Sequence, residues 1–178
     1  MNKPVLAGLI PEELVEVLKS YPNFRSKQIY KWICKAAAGF DEMNDLPISL
    51  RKELADKFTL VSGTVSSELH DTDGTVKLGI SYEDGVGIEG VILKDGKNRK
   101  TACLSTQAGC PLGCVFCKTG KLKFARNLTA LEISGQFLHL KKREQEISHI
   151  VIMGMGEPLL NLEELRKAVV FFHRHKRA

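Results

Sequence analysis

Three cysteines lie close together in the run Gly109-Cys110-Pro111-Leu112-Gly113-Cys114-Val115-Phe116-Cys117, at the spacing C-x-x-x-C-x-x-C. Thiolates are soft ligands, and a group this tight suits zinc, cuprous copper or an iron–sulfur cluster. The segment is short, so its three sulfurs are expected to converge on one compact object. Gly109 and Gly113, beside the first two cysteines, let the backbone take positive φ and approach that object closely. Three ligands on a four-iron cube leave one iron without a protein ligand, and an open coordination position is the general mark of a reactive metal site. The alternative is a structural zinc site. It needs a fourth ligand, for which Cys103, His139 and His149 are available. Zinc usually gathers its ligands as two paired knuckles, and only one such pair, Cys114 and Cys117, is present.

The elements around this loop follow from periodicity and punctuation. A strand over Thr101–Ser105 delivers the cysteine loop. After the loop, Thr129 and Glu132 have the spacing of a capping box, which starts a helix running to about Arg143 with Ile133, Phe137 and Leu140 inward. His149 to Met153 reads as a short strand of the buried, parallel kind, ending in Gly154-Met155-Gly156-Glu157-Pro158. A last helix begins at Asn161 with Glu164 three residues on, and carries Leu162, Leu165, Val169 and Phe172. Upstream, Val61–His70, Thr75–Tyr82 and Val86–Leu93 read as an antiparallel meander. Its turns are marked by Asp73-Gly74 and Asp84-Gly85, and Asp95-Gly96 follows. A basic loop, Lys97-Asn98-Arg99-Lys100, joins it to the strand before the cysteines.

The first sixty residues have a different texture. Helices are expected at Pro11–Leu18 (Leu14, Val17 and Leu18 on one face), at Ser26–Ala38 (Ile29, Trp32, Ile33 and Ala36) and at Ser49–Phe58 (Leu50, Leu54 and Phe58), with Gly39 ending the second. Their polar faces hold many lysines and arginines, among them Lys19, Arg25, Lys31 and Lys52. Cys34 reads as a packed thiol. The division expected is therefore a helical module at 1–60, a β connecting segment at 61–96 and a β/α core at 97–178.

Composition bounds the class. With 178 residues, 43% hydrophobic and 26% charged, the chain has the make-up of a soluble globular protein of one or two domains. No stretch has the length of a membrane span and the N-terminus does not resemble a signal peptide. A cytoplasmic setting follows, in which clustered cysteines are metal-binding or catalytic and not disulfide staples. The net charge of +5 suits a polyanionic partner.

An ordered set of segments resembles the RlmN/Cfr family of radical S-adenosylmethionine (SAM) enzymes. They are Phe24-Arg25-Ser26-Lys27-Gln28-Ile29-Tyr30-Lys31-Trp32-Ile33, Phe40-Asp41-Glu42-Met43, Ile88-Glu89-Gly90-Val91, Cys103-Leu104-Ser105-Thr106-Gln107-Ala108-Gly109-Cys110, Phe124-Ala125-Arg126-Asn127-Leu128 and Met153-Gly154-Met155-Gly156-Glu157-Pro158-Leu159-Leu160-Asn161. The resemblance implies an α/β fold: a small helical N-terminal domain and antiparallel strands leading into a radical SAM (β/α) partial barrel. It implies a [4Fe–4S] cluster on Cys110, Cys114 and Cys117, and SAM held at Gly156 and Glu157. By the same resemblance Cys103 is the resolving thiol and Glu89 the proton acceptor. Read without the family, Cys103 is a buried strand thiol and Glu89 a solvent-facing carboxylate.

The family methylates an adenine in 23S ribosomal RNA and, in its RlmN members, in some transfer RNAs, and the resemblance implies carbon 2 as the position. Carbon 2 has no acidic proton, so ordinary polar transfer from SAM fails there. A methyl group is first placed on a cysteine near the enzyme's C-terminus, and a radical generated from a second SAM activates that methyl. The resolving thiol finally attacks the methyl-carrying cysteine and leaves a disulfide, which is ordinary thiolate exchange. A flavodoxin- or ferredoxin-type donor supplies the electron. Two departures stand out: Lys123 occupies a position where the family usually has glycine, and no cysteine matches the methyl-carrying one. Two β/α units cannot close a barrel, so the chain is expected to be truncated within its catalytic domain. Methylation of carbon 8 and a non-catalytic, metal-binding RNA module are the alternatives.

Overall fold

The structure is a computed structural model and describes residues 3–95 and 99–175. Three helices open the chain, α1 at Pro11–Val17, α2 at Asn23–Cys34 and α3 at Ile48–Lys57. They bury Leu14, Leu18, Ile29, Ile33 and Leu54. The segment before α1 ties this layer to the rest: the Leu6 and Ala7 N–H groups donate to the Thr59 and Leu60 carbonyls, and both side chains are fully buried.

Strands β1 (Thr64–His70), β2 (Val76–Ser81) and β3 (Gly87–Lys94) form the expected meander. Gly74 and Gly85, at φ 84° each, make its two turns, as the Asp-Gly pairs predict. Gly96, Lys97 and Asn98 lie outside the described residues. β3 then pairs antiparallel with β4 (Lys100–Cys103), and β4 pairs parallel with β7 (His149–Val151). One five-stranded sheet, β1-β2-β3-β4-β7, therefore runs from the meander into the cysteine-bearing segment. Helix α4 (Ala130–Arg143) makes the crossover between β4 and β7, and α5 (Leu162–His175) packs on α4. The capping box at Thr129 and Glu132 is present. Ile88, Ile92, Ala102, Leu78 and Ile80 fill one face of the sheet, where Leu140 of α4 lies against Gly90.

Several expectations are corrected. α2 stops at Cys34, well before Gly39, because the chain closes it with a Schellman motif on Ala36. That residue takes φ 55°, the one non-glycine at positive φ among the described residues. The Ala36 N–H donates to the Ile33 carbonyl and the Ala37 N–H to that of Trp32, at 2.9 and 3.2 Å. Left-handed φ costs an L-residue about 1–2 kcal/mol, more than the roughly 0.8 kcal/mol of burying one methyl. Ala36→Gly is therefore expected to leave the melting temperature level or raise it. Ala37→Gly, at ordinary φ, is expected to lower it, and thermal unfolding of the two variants checks the contrast.

Val17 and Val169 turn outward, although periodicity places both on buried faces. The buried stripe of α5 is Ala168, Phe171 and His175. It is set by the aromatic contacts of His175 with Phe137 and Phe171, at ring-centroid distances of 5.1 and 5.7 Å. β1 begins at Thr64 and not at Val61, because Gly63 turns the chain at φ 73°.

Candidate active site and its cluster loop

The cysteine loop, residues 109–125, is closed at its base by a two-stranded ribbon of β5 (Gln107–Ala108) and β6 (Arg126–Asn127). The Arg126 guanidinium clamps β6 to the start of α4 through both carboxylate oxygens of Glu132, at 2.8 and 2.9 Å, and also meets Asp84. Gly109 and Gly113 take φ 76° and 61°, as the sequence suggests. A Cβ on Gly120 would stand 2.8 Å from the Cys114 carbonyl oxygen and 2.9 Å from its nitrogen, so the loop folds back on its own second cysteine. The Gly120 N–H holds the Cys117 thiol below its usual pKa, outweighing the opposing effect of burial, and Thr119 adds its backbone and hydroxyl. Amide donors turned onto a sulfur favour the thiolate that a metal needs.

Among the described residues no three His, Cys, Asp or Glu side chains stand close enough to share one metal ion. The three loop sulfurs are thus not gathered at one point, contrary to the expectation that they converge. The residues proposed above as a fourth zinc ligand are engaged elsewhere. Cys103 is buried in β4, the His139 Nε2 meets the Ser62 carbonyl at 3.0 Å, and the His149 Nδ1 meets the Ser148 hydroxyl at 2.8 Å. Lys123 is exposed. Its φ is not left-handed, so the lysine sits there without backbone strain.

The segment feeding the loop is polar yet wholly buried: Ser105, Thr106 and Gln107 are at most 1% exposed. Ser105 and Gln107 use their side chains to hold backbone, while the Thr106 hydroxyl is buried without a hydrogen-bond partner among the described residues. The Ser105 hydroxyl donates to the Glu89 carbonyl at 2.6 Å and accepts from the Met155 N–H at 2.9 Å. The Gln107 Oε1 accepts the Glu157 N–H at 2.8 Å, while its Nε2 donates to Asn127. The Thr106 and Gln107 N–H groups donate to the Met155 carbonyl. Gln136 of α4 brackets Ser105, accepting from its N–H and donating to its carbonyl at 2.9 Å each. Asn161 donates to the carbonyls of Thr106 and Leu128. Gly156 at φ 101° fits directly against Gln107, whose Cβ would be 2.6 Å from any added methyl.

Beside this segment lies a cleft of about 560 Å³ whose lining includes Lys77, Glu89, Lys118, Thr119, Leu122 and Met155; of the predicted site residues only Glu89 lines it. The Glu89 carboxylate is half exposed there and pairs with the Lys77 ammonium at 2.9 Å. Cys103 stands opposite Val91 in the β3–β4 register, so Glu89 is its diagonal neighbour on the face turned away from α4, about 7–8 Å off in an ordinary pair. Burial pushes the Cys103 thiol up, partly offset by the Met153 N–H. Sequence reasoning missed Lys77, Ser105, Gln107, Gln136 and Asn161. The uninterrupted polar trio between an apolar strand and a glycine was the available signal.

The family model of the radical SAM superfamily matches residues 104–174, and that of the ribosomal RNA large subunit methyltransferase N-terminal domain matches residues 6–60. The chain belongs to the RlmN family of radical SAM proteins. A "Probable dual-specificity RNA methyltransferase RlmN" from Treponema pallidum (strain Nichols) is 46% identical over 92% of this chain and 48% of its own length. A "Dual-specificity RNA methyltransferase RlmN" from Sulfurovum sp. (strain NBC37-1) is 42% identical over 96% and 52%. Among solved structures, a radical SAM methyltransferase from Sphaerobacter thermophilus superposes with a TM-score of 0.89 at 36% identity, over 96% of this chain and 52% of that one. The chain thus spans about half the length of the relatives it matches. Radical SAM superfamily members use a [4Fe–4S] cluster and SAM, and a loop with three free, partly exposed cysteines, one of them favoured as the thiolate, fits such a group. Among the described residues no helix is long and apolar enough to cross a membrane.

Proposed function

We propose that this chain carries the cluster- and SAM-binding machinery of an RNA methyltransferase that acts on carbon 2 of an adenine in 23S ribosomal RNA and transfer RNA, in the cytoplasm. The observation that carries the reading is the buried Ser105–Thr106–Gln107 clamp. It ties the Gly156–Glu157 turn and the Glu89 strand to the segment that leads into the cysteine loop. Cys110, Cys114 and Cys117 would hold the [4Fe–4S] cluster. Gly156 and Glu157 would hold SAM from the turn beyond the C-terminal end of a parallel strand, a usual ligand position in such sheets. When bound, the cluster supplies the electron that cleaves SAM. Glu89 is the proton acceptor, kept in place by Lys77 and by the Ser105 hydroxyl on its carbonyl. Cys103 is the resolving thiol. Its raised pKa makes it a poor nucleophile at rest, so it attacks only when deprotonated beside a reactive sulfur.

The test is anaerobic reconstitution with iron and sulfide, followed by reduction and addition of SAM. The expected results are a brown protein, an altered paramagnetic signal on adding SAM, and release of 5′-deoxyadenosine. A colourless protein that binds only zinc contradicts the reading. The helical module adds RNA affinity through its lysines and arginines. The logarithm of the association constant for a ribosomal RNA fragment is then expected to fall by about 0.7 per tenfold rise in salt for each single-stranded phosphate contact. A flat response between low and moderate salt removes that role.

A further inference from the structure

A separate cavity of about 470 Å³, sharing no residue with the cleft beside Glu89, lies where the end of α2, α4, α5 and the start of β7 meet. Lys31, Lys35 and Lys141 line it and, among the described residues, no aspartate or glutamate does. Other lysines of the chain are matched to carboxylates: Lys57 with Glu53, Lys100 with Glu144 and Glu146, and Lys167 with Glu164. Lys31 and Lys35 are exposed at this cavity, while Lys141 is half-buried. The Lys141 Nζ meets the buried ring of His175 at 3.1 Å from Nε2. An ammonium can only donate, so Nε2 accepts and the ring hydrogen sits on Nδ1, which is buried without a partner. Lys141 is thus held by a neutral imidazole where a carboxylate would ordinarily stand. Burial favours its uncharged amine and outweighs the opposing influence of Cys34. The Cys34 thiol, pushed up to about 11 by burial, stays protonated and supplies no counter-charge. Phe137, one helical turn before Lys141, and Phe172 make an apolar wall beside the amine.

We propose that Lys141 is a self-acylating modification site whose donor is a small acyl phosphate taken up in this cavity. Three features select that donor. Lys31 and Lys35, unmatched by any acid of the cavity wall, attract a phosphate dianion and raise its local concentration. Phe137 and Phe172 receive a short acyl chain, and the cavity has the size of an ordinary small-molecule site. Lys141 offers the nucleophile, since a lysine amine attacks a carbonyl carbon only in its uncharged form. The ammonium first gives a proton to solvent. Its nitrogen then bonds to the acyl carbon, the bond from that carbon to the phosphate oxygen breaks, and a second amine proton leaves on the inorganic phosphate. Nothing is oxidised or reduced. The product amide keeps one N–H, which donates to His175 Nε2 in place of the ammonium. Acylation therefore removes a half-buried positive charge without leaving the ring acceptor unpaired, and its product suits the site better than the free lysine does.

The test incubates the wild-type chain with acetyl phosphate and follows acetylation of each lysine by peptide mass spectrometry. Lys52, exposed and far from this cavity in the chain, is the internal reference. Lys141 is expected to be acetylated roughly tenfold faster than Lys52, and inorganic phosphate, competing for Lys31 and Lys35, is expected to slow it. In Lys31→Ala/Lys35→Ala most of that advantage disappears. With N-acetoxysuccinimide, an uncharged acetyl donor, the same variant and the wild type are expected to label Lys141 at equal rates, which separates capture of the phosphate from reactivity of the amine. Labelling of Lys141 by acetyl phosphate no faster than that of Lys52 overturns the proposal. So does an undiminished acetyl phosphate rate in the double variant, which would leave a reactive lysine with no site for the donor. The comparison of Lys141 with Lys52 is made within one wild-type molecule, so it decides even where the double variant folds poorly. It needs no iron and is independent of the cluster reading.

Discussion

Replacing Gly109 with alanine is expected to be among the most damaging single changes in the cluster loop, costing about 2–5 kcal/mol and emptying the loop of iron. Two costs add. At φ 76° an L-residue pays about 1–2 kcal/mol in backbone strain. The new Cβ would also meet backbone on the far side of the loop, 2.9 Å from both the Lys123 carbonyl carbon and the Phe124 Cα. Backbone cannot be moved aside by a rotamer change, and overpacking of this kind costs a further 1–3 kcal/mol or so. The β5–β6 base must open to relieve it. Gly113→Ala is the control: at φ 61° it has the strain, but nothing lies within 4 Å of its added methyl. Denaturant midpoints and iron counts for the two variants check the difference, and equal losses contradict the packing argument.

The second large effect is a loss of stability in mild acid that centres on His175. Burial, reinforced by the Lys141 ammonium at 3.1 Å from Nε2, pushes this imidazole down to about 4. Its Nδ1 is buried without a hydrogen-bond partner among the described residues. In the unfolded chain the ring titrates near 6.5, so between about pH 4 and 6.5 the unfolded state binds the extra proton. Stability is then full above pH 6.5 and falls as pH drops towards 4, by about 3 kcal/mol from this group. His139, also lowered by burial, acts in the same direction. His175→Phe, which suits a site beside Phe137 and Phe171, is expected to remove most of the slope and leave the part due to His139. Urea unfolding at a series of pH values measures it, and an unchanged slope in the variant contradicts the assignment.

What could be read from the sequence is what local chemistry decides. The glycines beside the cysteines, the Asp73-Gly74 and Asp84-Gly85 turns and the Thr129–Glu132 capping box each involve residues a few positions apart, and each stands in the structure as expected. The end of α2 is local too, but it uses an alanine where glycine is the usual choice, so Gly39 attracted the assignment that belonged to Ala36. Which face of α5 is buried depends on Phe137, a residue of another helix, and apolar periodicity alone set the stripe one residue off. The clamps made by Ser105, Gln107, Gln136 and Asn161 join segments 16 to 55 residues apart, and only the folded sheet brings them together. The Glu89–Lys77 pair and the diagonal placement of Cys103 are likewise facts of register, which periodicity cannot supply.

The central claim is that Cys110, Cys114 and Cys117, and no other cysteine, hold a four-iron cluster. Iron and acid-labile sulfide, counted per chain after anaerobic reconstitution, test it most directly across five single alanine variants. The expected result is about four irons in wild type, in Cys103→Ala and in Cys34→Ala, with almost none in Cys110→Ala, Cys114→Ala or Cys117→Ala. Undiminished iron in Cys114→Ala, or loss of iron in Cys103→Ala, contradicts it.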